Sequence, residues 1–116
     1  MFMSVVIYHN PRCSKSRQTL ALLEENNVQP EIVKYLETPL NVEQLKALYA
    51  QLELDNVRDM MRTKEDIYKE LNLADASDDA LFAAMAENPK LIERPVVVHN
   101  GKARHGRPPE QVLEIL

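Results

Sequence analysis

Apolar residues fall in short β-branched runs near the two ends of the chain and at helical spacing through its middle. Met3 to Tyr8 (MSVVIY) is the first such run and predicts a buried strand. Asn10-Pro11 breaks it. Helix formers follow from Ser14 to Glu25, with Leu20 and Leu23 on one face, and Asn26-Asn27 ends that helix. Glu31 to Tyr35 (EIVKY) alternates and predicts a second strand. Strand, helix, strand in about thirty residues is a βαβ unit, whose parallel strands need a right-handed crossover.

The middle is helical. Asn41 with Gln44 resembles a capping box, and Val42, Leu45, Leu48, Tyr49 and Leu52 follow at helical spacing. Leu54 to Met61 and Glu65 to Leu71 predict short helices or turns. Ser77 can cap a further helix carrying Leu81, Phe82 and Met85. Beyond Arg94-Pro95, Val96-Val97-Val98 predicts a strand, Asn100-Gly101 a hairpin turn, and Lys102 to His105 the return strand. Gly106-Arg107-Pro108-Pro109 stops it, with Pro109 suited to the first turn of a final helix ending at Leu116. The order is βαβ, a helical block, then ββα. That is the order of a thioredoxin-like α/β fold, read as a single domain over 1–116 with an all-helical insertion at about 40–90.

Composition narrows the function. Apolar residues make up 45% of the 116, which argues against disorder. Eighteen acidic against fourteen basic residues give a formal charge of −4, so overall charge predicts no nucleic-acid partner. No apolar run reaches the length of a membrane span, and Met1 to Ile7 lacks the basic start of a secretory signal. The expectation is a soluble cytoplasmic protein with no membrane partner. One cysteine, Cys13, excludes an internal disulfide and a cysteine-based zinc site, and no metal is expected. Redox chemistry at Cys13 would need a resolving thiol from another molecule.

Cys13 falls between the first strand and the first helix. Backbone N–H groups at a helix start lack partners and the macrodipole is positive there, so both favour a thiolate and an oxyanion. Arg12, Lys15 and Arg17 add positive charge, and Ser16 stands where a Cys-x-x-Cys motif has its second thiol. A buried, inert thiol is the ordinary alternative. A phosphatase-type Cys-x5-Arg loop is excluded, because the residue six beyond Cys13 is Thr19.

Ile7 to Arg17 (IYHNPRCSKSR) resembles the signature of the glutaredoxin-coupled arsenate reductases, in their short chromosomal form. The resemblance continues through Tyr35–Pro39, Met61–Glu65, Glu93–Val98 and Gly106–Pro108. It implies that Cys13 attacks arsenate, that glutathione attacks the thiol–arsenate adduct, and that glutaredoxin resolves the mixed disulfide as arsenite leaves. Glutathione is then a co-substrate and no cofactor is bound. Arg62, Arg94 and Arg107 match the family's oxyanion ligands, and paired guanidinium hydrogen bonds suit that task. Taken singly, each would be an ordinary surface arginine.

His9 matches the family's histidine near the nucleophile; it holds the thiolate or its water, or makes a structural hydrogen bond at the strand end. Pro95 would be trans on base rates, and the resemblance makes it cis. Arg17, one helical turn from Cys13, binds anion or pairs with an acid. His99, Arg104 and His105 read as structural or surface residues of the hairpin. Two other functions fit the same fold: an Spx-type regulator binding RNA polymerase, and a monothiol glutathione-transfer protein. The joint presence of Cys13, Arg62, Arg94 and Arg107 favours the reductase over the regulator.

Overall fold

The alternation of Val5–Tyr8 gives strand β1, with Val5 and Ile7 buried and Val6 and Tyr8 half-buried. The computed structural model describes residues 5–116, so Met3 and Ser4 of the predicted strand lie outside the described residues. Helix α1 runs Ser14–Glu25, and strand β2 runs Glu31–Val33. β1 and β2 pair in parallel, with Ile7 opposite Ile32. Strand β2 is shorter than predicted. The carbonyl of Lys34 accepts from the N–H groups of Glu37 and Thr38, which turns the chain away from the ladder.

Strands β3 (Val96–His99) and β4 (Lys102–His105) form the predicted hairpin, with Asn100 and Gly101 both at positive φ (54° and 79°). β3 pairs antiparallel with β1, and the sheet order is β2-β1-β3-β4. One face of that sheet buries Val5, Ile7 and Val97 with Leu23 of α1 and with Val112 and Ile115. The last two belong to the final helix, Pro109–Ile115, which is a 3-10 helix. Runs of this type rarely exceed four residues. Its buried side chains are Pro109, Val112 and Ile115, a spacing of three, and three residues per turn align them in one stripe.

The chain divides into two compact units, Met1–Thr38 with Arg94–Leu116, and Pro39–Glu93. Within the second, α2 (Val42–Leu52) begins at the predicted capping box: Gln44 N–H donates to Asn41 Oδ1 at 2.8 Å and Asn41 N–H to Gln44 Oε1 at 2.9 Å. A 3-10 turn at Val57–Met60 and the short helix α3 (Asp66–Glu70) follow. Ser77 caps α4 (Asp78–Glu87) by accepting from Ala80 N–H. α2 packs on α4, with Tyr49 and Phe82 edge to face at 5.8 Å. Arg58 ties the unit together by donating to the carbonyls of Leu73, Ala74 and Ala76. Among the described residues no helix is long and apolar enough to cross a membrane.

Candidate active site

The chain leaves β1 at Tyr8, and its next N–H, that of His9, still donates to Val33 O at 2.9 Å. A tight turn follows. Asn10 accepts twice, from Arg12 N–H on Oδ1 and from Cys13 N–H on its carbonyl, both at 3.0 Å. Arg17 fixes the same loop by donating to Pro11 O at 2.9 Å.

This turn delivers Cys13 to the N-cap of α1 with extended backbone (φ −92°, ψ 124°). Its carbonyl accepts the first helical N–H, from Arg17. The N–H groups of Ser14, Lys15 and Ser16 belong to the opening turn, which has no intrahelical acceptor for them. No acidic residue sits in that turn to oppose an anion. The thiol is nearly buried, at 9% exposure.

Ser16 is wholly buried and joins two parts of the loop. Its Oγ accepts from Asn10 N–H at 3.0 Å and lies 2.6 Å from His9 Nδ1. The hydroxyl hydrogen is free to point at Nδ1 of a neutral imidazole, and the oxygen has a second lone pair for the other tautomer. His9 favours that neutral form: burial pushes its pKa below the ordinary value, and the Lys34 and Arg17 cations push it the same way. His9 thus makes a buried hydrogen bond to Ser16 at the end of β1.

The hairpin brings in the cations. Strand register pairs Val96 with His105, and continuing it outward sets Arg94 across from Arg107. Arg107 Nε donates to Arg94 O at 2.7 Å, while its Nη2 lies 3.9 Å from Cys13 Sγ. Both arginines precede cis prolines, Arg94–Pro95 and Arg107–Pro108. The first was expected; the second carries no sequence signal that separates it from a trans bond. Gly106 is needed here, because a Cβ would press into Thr19 Oγ1 of α1 and come within 2.8 Å of Pro95 Cγ. Its N–H donates to Pro95 O at 3.0 Å.

Cys13, His9, Ser16, Arg94, Pro95 and Arg107 thus all belong to the first unit. Arg62 belongs to the second, where its N–H donates to Leu91 O at 2.7 Å and its guanidinium faces Glu65 at 3.3 Å. Among the described residues no cluster of three His, Cys, Asp or Glu could hold a metal ion.

A profile of the ArsC family matches residues 8–115. The chain belongs to the ArsC family. Among its relatives, an arsenate reductase of Haemophilus influenzae is 55% identical over 98% of this chain and 100% of its own. A protein of Escherichia coli named YfgD, with no activity in its description, is 63% identical over 100% and 99% of the two chains. A solved arsenate reductase from Vibrio cholerae superposes with a TM-score of 0.98 at 72% identity, covering 100% of both chains. The mixed α/β fold is accordingly the thioredoxin-like fold of the ArsC proteins.

Proposed function

We propose that this ArsC-family chain is an oxidoreductase that reduces arsenate to arsenite through Cys13, with glutathione and glutaredoxin as the thiol supply. The observation that carries this reading is the contact of Arg107 Nη2 with Cys13 Sγ at 3.9 Å, at the N-cap of α1. A thiolate there has a guanidinium beside it, and an incoming oxyanion meets the same guanidinium and the opening N–H groups of the helix. Relatives named as arsenate reductases support the choice of oxyanion.

Cys13 thiolate attacks arsenic, a sulfur–arsenic bond forms, and one arsenate oxygen leaves as water after protonation. Glutathione thiolate then attacks Cys13 sulfur. The sulfur–arsenic pair returns to arsenic, which leaves as arsenite, and a Cys13–glutathione disulfide remains. Glutaredoxin thiolate attacks the glutathione sulfur and frees Cys13. With one cysteine in the chain, no internal thiol competes for that disulfide. Such chemistry suits the cytoplasm, where glutathione keeps thiols reduced.

Arg94 and Arg107 are assigned to the oxyanion, and Arg62 keeps the same role from its sequence motif. His9 and Ser16 hold the loop that presents Cys13, and Pro95 orders the strand entry beside it. An assay with arsenate, glutathione and glutaredoxin tests the reading. Arsenite formation by the wild type and its loss in Cys13→Ala is the expected result. Equal turnover in the two proteins would end the reductase reading.

A further inference from the structure

A cavity of about 250 Å³ opens at the carboxyl ends of the parallel strands β1 and β2, beside the residues that lead into Cys13. Ligands in open α/β sheets gather at the carboxyl ends of the strands. Its walls are the turn at Asn10–Cys13 and the turn that begins at Lys34, held together by the His9 N–H to Val33 O bond. Pro11, Arg12, Lys34, Leu36 and Glu37 line it together with His9. The first five are exposed, and Leu36 is among the large apolar side chains that stay open to solvent. Arg12, Lys34 and Glu37 form no ion pair among the described residues. Lys34 is close enough to His9 to oppose its protonation, so its charge acts into this region.

Resting on the thiol-coupled reading above, we propose that this cavity is the binding subsite for the free tripeptide thiol. Glutathione carries two carboxylates and one ammonium, and the cavity offers two cations, Arg12 and Lys34, and one carboxylate, Glu37. Leu36 and Pro11 give an apolar surface for the tripeptide's uncharged middle. Arg12 is the residue next to Cys13, and a three-residue ligand spans about 10 Å. A ligand anchored on Arg12 and Lys34 lies against the loop that leads into Cys13.

Thiol–disulfide exchange tests this without arsenate. Cys13 thiolate attacks one sulfur of glutathione disulfide, forming the mixed disulfide and releasing one glutathione thiolate. Neutral hydroxyethyl disulfide reacts in the same way but lacks the charges. The readout is the ratio of the two second-order rate constants, followed by mass spectrometry in the wild type, Lys34→Glu and Arg12→Glu. Reversing a charge that pairs with the ligand should lower the ratio about fivefold in each variant. Added salt should lower it in the wild type as well. A fall of threefold or more in both variants supports the subsite, and a smaller fall in either overturns it. Taking a ratio cancels any general change in Cys13 reactivity. Absence of arsenate turnover in the coupled assay would count against the reductase reading alone, because the exchange ratio does not depend on it.

Discussion

At the scale of single residues, Ser16 is the side chain on which the Cys13 loop depends. It satisfies Asn10 N–H and His9 Nδ1 at once, in full burial. Ser16→Ala leaves both groups without that partner, and each unsatisfied buried group costs about 1–3 kcal/mol. The expected loss in a urea titration is about 2 kcal/mol; a variant as stable as wild type would mean the two groups find other partners. Arg107 is the second such residue, because one guanidinium serves both Arg94 O and Cys13 Sγ. Lysine keeps the charge and loses the fork, so Arg107→Lys should lower kcat/KM for arsenate by about tenfold. A change below twofold would mean that charge alone suffices. Cys13 itself was legible in the sequence, because a strand, a breaker and a helix start bracket it. The Asn100-Gly101 turn was legible too, and the register it fixes sets Arg94 across from Arg107. The bond from His9 to Ser16 was not. It spans seven residues across a turn, where no periodicity connects the two positions.

Among the elements, the ones with local causes were readable. Helix α1 runs over the predicted Ser14–Glu25, the Asn41 box opens α2, and Ser77 caps α4. Elements decided by non-local neighbours were harder. Two residues of the predicted second strand went to a turn closed on Lys34 O. The final helix kept its place and changed its type, because its apolar stripe repeats every three residues. Asn41→Ala removes the box and should cost about 1 kcal/mol, seen as a lower urea midpoint; an unchanged midpoint would mean the first turn of α2 adds nothing to stability. Gly106 marks where the hairpin meets α1. Gly106→Ala forces a methyl against Thr19 and Pro95, and overpacking of this kind costs about 1–3 kcal/mol. Thr19 cannot yield freely, since its hydroxyl donates to Lys15 O at 2.8 Å. Wild-type stability in Gly106→Ala would show that the hairpin end shifts without cost.

For the whole molecule, the order of strands and helices was legible from pattern alone, while its response to acid depends on burial that no pattern encodes. His105 is half-buried at the end of β4, and its Nε2 is buried without a hydrogen-bond partner among the described residues. Burial, and then the nearby Arg107 charge, push its pKa down from 6.5 to about 4. The unfolded chain therefore binds a proton at His105 that the folded chain refuses between those values. Stability conferred by the neutral ring is complete above pH 6.5 and is lost as pH falls toward 4. His9 is shifted in the same direction and adds to the loss. The His105 share is on the order of 2 kcal/mol, given its partial exposure. His105→Phe removes both the titration and the unpartnered nitrogen, while His9 and the carboxylates remain in both proteins. Urea titrations at pH 7 and pH 4.5 should find the wild type losing about 2 kcal/mol more than the variant across that interval. Equal losses would mean that His105 takes up its proton in the folded state as readily as in the unfolded one.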